Sequence, residues 1–455
     1  MHRREFLKQT ALAATASALP LTATHAFAEQ PPAATPNPPA PPTSSTYPRF
    51  PTSDPAWKTT WDAALAVLAG NIHLMARYDH PVLVEGAVYP GIWQECAPQE
   101  GLVYGTLSQY IATPPGAPTP LEVARANHMA FFAQQKEDGQ LPASIKLADS
   151  VGTSAGYGQI QMVVPIAATA WDIFQITHDQ ELLETAYKSC SRWDAWLRQY
   201  RDTRKTGLCE GFCTYDTGHD NSPRWKGIPN RCPDADARKY PDIPTMPRLC
   251  PDLSATVYGG RIALATMART LGKRDDEAHW LADAEHIRQL ILTKLYSPED
   301  AAFYDLDAKG NFVRVRGDVI TRVLGEHVVD PHKDKKIFEA VWTKEIHNPA
   351  AFWAPYPLPS IAMDDPAFVR PIPRNSWGGA SQALTALRAP RWFAFYGKHA
   401  ELTHMMQQWC SAIMRSGGFR QQMDPLTGDF TMADPSGYSP AALTFLDFAR
   451  RLSHG

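Results

Sequence analysis

Three junctions constrain this chain more than any other feature. ITHDQE (Ile176–Glu181), LGKRDDE (Leu271–Glu277) and YGKHAE (Tyr396–Glu401) each close an apolar segment with a short polar turn and open another at once. That is the pattern of an antiparallel helical hairpin. The flanking segments, among them GQIQMVVPIAATAWDIFQITH, LSATVYGGRIALATMARTLG and AELTHMMQQWCSAIM, carry apolar residues at helical spacing. Upstream, Asp54 and Pro55 open a helix over AWKTTWDAALAVLAGNIHLMARYD, and Thr119 with Glu122 forms a capping box ahead of LEVARANHMAFFAQQ. Repeated hairpins in one chain predict an all-α toroid whose inner helix ends and connecting loops line a central pocket. A stacked solenoid is disfavoured, because the intervals between hairpins are long, unequal and rich in proline. One strand signal stands out: FYDLDAKGNFVRV, Phe303–Val315, predicts a small β-hairpin insertion turning at Lys309 and Gly310.

The chain divides into three parts. Residues 1–28 read as a twin-arginine export signal: Arg3 and Arg4 precede Phe6, Leu7 and Lys8, an Ala-rich apolar stretch follows, and Ala26, Phe27 and Ala28 supply a cleavage site. Residues 29–53, dominated by Pro, Ala, Thr and Ser, read as an extended tether. The toroid then spans 54–455. This organisation predicts a periplasmic or secreted protein, and no later apolar run approaches the length of a membrane span. A net charge of -3 with scattered Lys and Arg offers no basic stripe, which argues against nucleic acid as a partner. Four of seven cysteines, Cys209, Cys213, Cys232 and Cys250, cluster mid-chain. In an oxidising compartment they predict one or two disulfides ahead of a zinc site: Cys209 and Cys213 have a CxxxC interval, but Cys232 and Cys250 lack a paired spacing and no histidine completes a cluster. Neither a metal nor another cofactor is expected.

Those cysteines flank TYDTGHDNSPRW, Thr214–Trp225, the stretch richest in candidate chemistry. Its Gly and Pro mark a loop, where polar groups can face a cavity. A carboxylic acid beside an indole suits glycosidic bond cleavage, because the apolar ring raises the acid's pKa and offers a face to a sugar. Equally, DNSP is a good helix N-cap and turn. Within the stretch, Asp216 is a candidate to bind a sugar hydroxyl or orient the loop, and His219 a candidate hydroxyl partner. Arg224 is a candidate for a substrate oxygen or a carboxylate clamp. Trp225, with Trp93 and Trp377, is a candidate for sugar stacking or for core packing.

Laid out this way, the chain resembles the (α/α)6-barrel glycoside hydrolases that include trehalases, processing α-glucosidases and mannosylglycerate hydrolases. GHDNSPRW is similar to the segment carrying their catalytic acid, YPGIWQE to an early segment at the pocket mouth, NSWGGASQAL to a later Trp-Gly-Gly stretch, and PDLSATVYGGRIALATMARTLGK to the helix after the acid loop. The patches run in the family's order from Tyr89 onward. The resemblance implies a carbohydrate substrate, an inverting mechanism and Asp220 as general acid.

It fails at one position. FRQQMDPLTGDF resembles the segment in which a Glu four residues before Pro is the general base, and here that position is Gln421. An amide cannot take a proton from water in a useful pH range. Glu95, after Trp93 in GIWQE, is the first candidate replacement, ahead of Asp216, Asp424, Asp434, Glu100 and Glu210. Gln421 could still hold the attacking water by hydrogen bonds. An inverting pair stands roughly 6.5–9.5 Å apart to admit that water. The reading that follows is an exported glycoside hydrolase acting on a small α-linked glycoside or oligosaccharide. Its rivals are a sugar-binding barrel that has lost its base and, further off, a polysaccharide lyase using Tyr215 and His219.

Overall fold

The computed structural model describes residues 43–453 apart from 76–77, 148–154, 233, 235, 237, 239–244, 375 and 432–435. The expected export signal, the tether up to residue 42, and Asp434 lie outside the described residues.

Thirteen α-helices occur among the described residues, alternating between two layers. They begin with α1 (Ala56–Gly70), α2 (Ala97–Thr106), α3 (Pro120–Ala133) and α4 (Ile166–Thr177). Next come α5 (Gln180–Tyr200), α6 (Pro251–Thr270), α7 (Arg274–Leu290), α8 (Val319–Gly325) and α9 (Lys335–Val341). The last are α10 (Ala383–Arg388), its continuation α11 (Pro390–Phe393), α12 (His399–Ser416) and α13 (Ser439–Leu452). Neighbours α13, α2, α4, α6 and α8 pack side to side, and α10 returns to α13. Thr385 Oγ1 of α10 donates to Asp318 Oδ2 at the start of α8 at 3.1 Å, closing an inner ring of six. Helices α1, α3, α5, α7 and α12 cover that ring from outside. The expected (α/α)6 toroid is what the chain forms.

Composition explains which helix goes where. Every residue of α8 and α10 is buried, so each is apolar or paired on all sides. Outer α5 and α12 instead bury one stripe and show charge on the other. Inner α2 carries glycine where α3 presses closest: a Cβ at Gly101 would stand 2.8 Å from Asn127 Cβ. Asn127 is fully buried and donates to the carbonyls of Leu83 and Ala97, tying the entering loop to both helices.

Local chemistry also shifts several expected boundaries. The capping box at Thr119 and Glu122 is present. Helix α1 stops at Gly70, and Ile72–Met75 turns back as a strand antiparallel to Tyr78–Leu83. Helix α4 starts only at Ile166, because Pro165 lacks an N–H and restricts the residue before it. The hairpin of Asp305–Leu306 and Phe312–Val313 forms, with Gly310 at φ +83° in its turn. It is no isolated insertion: it extends a sheet through Arg248–Leu249 to Glu210–Gly211, at the base of the central loop. Residues 43–53 pack on the barrel instead of trailing as a tether. Thr43–Ser44 pairs with Ile111–Ala112, and Phe50 stacks on Trp57 at 5.9 Å. The expected disulfides are absent as well, all seven cysteines being buried free thiols.

Candidate active site

Loops leading into the inner helices converge on one cavity of about 190 Å³. Ahead of α2 they supply Glu85, Tyr89, Trp93 and Glu95; ahead of α4, Ser144, Lys146, Gln159 and Gln161. The loop before α6 adds Tyr215, Gly218, Asp220 and Arg231, and the segments before α10 and α13 add Trp377 and Gln421. No single stretch of chain builds this wall.

Five of the candidates named from sequence meet here: Trp93, Glu95, Asp220, Trp377 and Gln421. Trp93 and Trp377 belong to a small cluster of their own with Leu384, and Tyr89 meets the Trp93 ring edge-on at 5.7 Å. Lys146 Nζ lies 4.0 Å from the Trp93 ring centre. The Trp377 backbone N–H donates to the Asp220 carbonyl at 3.0 Å, anchoring the acid-bearing loop to the segment before α10. That loop turns through Gly218 at φ +64°, where a Cβ would stand 1.7 Å from Glu95 Oε2. Only glycine satisfies both conditions. Glu95 is therefore wedged beneath the loop, with Gln161 Nε2 3.4 Å from the same oxygen. Burial pushes its carboxyl up, against the pull of Arg388 and Arg322. At Gln421, the Tyr89 hydroxyl donates to Oε1 at 2.8 Å, which fixes the amide and occupies its acceptor.

Asp216, His219, Arg224 and Trp225 are not brought to the cavity. Asp216 is fully buried and accepts from Arg201 Nη1 at 2.5 Å and Nη2 at 3.1 Å. The backbone N–H groups of Ile160 and Phe212 also donate to it. Arg224 is clamped by two carboxylates at once, Asp252 and Asp305, at 2.6–2.8 Å. Against the cost of burial, that guanidinium holds Asp252 well below the usual carboxylate range. Arg224 Nη1 also donates to His219 Nδ1 at 2.9 Å, and His219 Nε2 lies 2.7 Å from Asp318. Burial, then Arg322, lowers His219 to about 4, so its ring is neutral. Trp225 is 2% exposed, and its Nε1 donates to Thr217. In place of sugar contacts, the four form a scaffold that fixes the loop from behind.

Glu85 completes the wall. Tyr438 Oη donates to its Oε1 at 2.7 Å, leaving the second oxygen without a protein donor among the described residues. Burial, then the charges of Glu100 and Glu95, push its carboxyl well up. Glu85, Glu95 and Cys96 have donor atoms within 4.8 Å of one another, the two glutamates on the cavity wall and the thiol behind it. Two similar sets are engaged elsewhere: Asp216 by Arg201, and Asp252 and Asp305 by Arg224.

A helical toroid with this cavity matches a known family. The model of the mannosylglycerate hydrolase MGH1-like glycoside hydrolase domain matches residues 117–440. The chain belongs to that family. This glycosidase is similar in fold to the GH63 mannosylglycerate hydrolase of Thermus thermophilus, solved in complex with glucose. The two share 20% identity and a TM-score of 0.65, over 85% of this chain and 99% of that one. The same Thermus enzyme, solved with Tris and D-glycerate, is 19% identical over 87% and 100% of the two chains, with a TM-score of 0.65. The neutral trehalase of Saccharomyces cerevisiae shares 13% identity and a TM-score of 0.59, over 90% of this chain and 82% of that one. No curated protein matches the sequence.

Sequence reasoning missed Glu85, Lys146, Gln161 and Arg231 in the glycosidase cavity. For Glu85 a signal was there: it is the lone charge in the apolar run PVLVEGAV, and an acid so placed has to be buried and answered by a partner. Lys146 ends a three-residue strand, Ser144–Lys146, too short to show a period, and Gln161 and Arg231 lie in irregular segments where no period reports which way a side chain faces.

Proposed function

We propose that this glycosidase hydrolyses a small α-linked glycoside with inversion at the anomeric carbon, Asp220 acting as general acid. The observation that carries the reading is the meeting, in one cavity, of Asp220, the indoles of Trp93 and Trp377, and buried carboxylates from a different loop. Asp220 protonates the departing glycosidic oxygen, the indoles hold the sugar face, and a carboxylate other than residue 421 deprotonates water. Lys146 and Arg231 add two positive charges to the lining. They favour an aglycone that carries a carboxylate, and D-glycerate is a ligand found with the Thermus enzyme. The twin-arginine signal adds export to the periplasm or beyond, so that the substrate is met outside the cytoplasm.

The test is a screen of purified protein and Asp220→Asn against mannosylglycerate, trehalose and aryl α- and β-glycosides, with the first-formed anomer followed by NMR. Hydrolysis of an α-glycoside releasing the β-anomer, abolished in the variant, supports the reading. No hydrolysis by either protein, with a sugar raising the melting temperature, would replace it with a binding barrel.

A further inference from the structure

Position 421 is a glutamine, so the base has to stand elsewhere, and the structure narrows the choice to two. Glu85 and Glu95 both line the cavity with Asp220, and their oxygens approach within 4.8 Å of each other. Their surroundings differ. Glu95 belongs to the acid's own side: its Oε2 is wedged beneath Gly218, two residues before Asp220, and Gln161 reaches the same oxygen. Glu85 is tied instead to the segment that opens α13. Its carbonyl accepts from Ser439 N–H at 2.9 Å, the next residue bridges to Tyr438, and Tyr438 holds one carboxylate oxygen. Tyr89, four residues on, donates to Gln421. Glu85 thus shares a wall with Gln421, and Glu95 sits under the loop of the acid.

We infer that Glu85 is the general base, occupying by a different route the place that residue 421 cannot fill. This rests on the inverting-hydrolase reading above. A water held between Glu85 and the Gln421 amide attacks the anomeric carbon as the bond to the glycosidic oxygen breaks. Glu85 Oε2 takes the water's proton, Asp220 gives its proton to the leaving oxygen, and both carboxyls exchange back with solvent before the next turnover. Tyr438 fixes the carboxylate by its other oxygen, as an oriented base requires. Glu95 is a positioning residue, setting the height of the Asp220 loop through Gly218.

The test uses α-D-mannosyl and α-D-glucosyl fluoride, whose leaving group departs without a proton, so that the acid is dispensable and the base is not. Asp220→Asn should keep much of its fluoride hydrolysis. Glu85→Gln, which retains an acceptor for Tyr438, should lose about 10²–10⁴-fold in kcat, with a melting temperature close to wild type. In Glu85→Ala, azide should restore turnover and yield the β-glycosyl azide. Glu95→Gln should depress glycoside cleavage more than fluoride cleavage. Wild-type-like fluoride hydrolysis by Glu85→Gln, or azide rescue confined to Glu95→Ala, would overturn the assignment while leaving the hydrolase reading intact. Failure of the wild type on every fluoride and glycoside would overturn both.

Discussion

Asp216 and Asp220 stand four residues apart in one polar loop, and substituting the first separates scaffold from chemistry. Each oxygen of Asp216 accepts a backbone N–H and an Arg201 N–H. In Asp216→Asn the amide nitrogen has to face one of those donors, and the fully buried Arg201 loses its countercharge. Breaking a buried pair from one side costs about 3–5 kcal/mol, because the stranded charge cannot reach water. The unfolding midpoint in urea should therefore fall, and with an m-value near 3 kcal/mol/M the shift is about 1–1.7 M. An Arg201→Met, Asp216→Leu double variant should recover part of the loss, since both charges leave together. What survives folded should show its defect mainly in kcat, through the misplaced Asp220, as a 1 Å displacement costs roughly 10²-fold. An Asp216→Asn protein with an unchanged midpoint and a raised KM would refute this reasoning and return Asp216 to the sugar.

Further outcomes follow from other parts of the molecule. Gly218→Ala places a methyl against Glu95 in left-handed backbone, so kcat/KM should fall by about 10²-fold or more and stability by about 1–2 kcal/mol, read by kinetics and urea unfolding. Burial lifts Glu326 to about 7, although Arg391 pulls it down. A carboxyl raised in the fold contributes stability that is complete below the ordinary glutamate value and is lost as pH rises through the folded one. Stability should therefore fall from about pH 5 to 8, and Glu326→Gln should remove its share of that slope in urea titrations, Glu345 and Glu100, raised by burial into the same range, keeping the rest. Asp252, depressed in the fold, is ionised in both states across that window and adds no slope. Finally, protein denatured without reductant should titrate as seven thiols, matching the free cysteines. Two fewer would restore a disulfide in the central loop.

The barrel was legible because hairpin junctions and helical periods are local properties. Each junction reports its own turn, and repeated pairs in one chain leave few ways to close. The edges of elements were less so: nothing between Asn71 and Tyr78 breaks an apolar run as clearly as the strand pairing that replaces it. Within the site, Trp93, Glu95, Asp220, Trp377 and Gln421 could be read because they sit in compact motifs. For Asp216 and Arg224 the sequence left two roles open each, and the structure takes the loop-orienting one and the carboxylate clamp. Both are acid–base partners by composition, and what separates scaffold from cavity is a countercharge far along the chain. Arg201 lies 15 residues before Asp216, while Asp252 and Asp305 lie 28 and 81 residues after Arg224. The cysteines erred for the opposite reason: nearness in sequence suggested bonds, whereas Cys213 and Cys232 come within 4.8 Å of each other as thiols.

The contact between the first cavity loop and the last helix also sets a schedule. Glu85 meets Tyr438 only when α13, helix after helix later, docks against α1 and α2. A growing chain therefore carries Trp93, Asp220 and Trp377 long before it holds an ordered cavity. The cavity wall is complete only when the last helix seats and the first loop is locked against it.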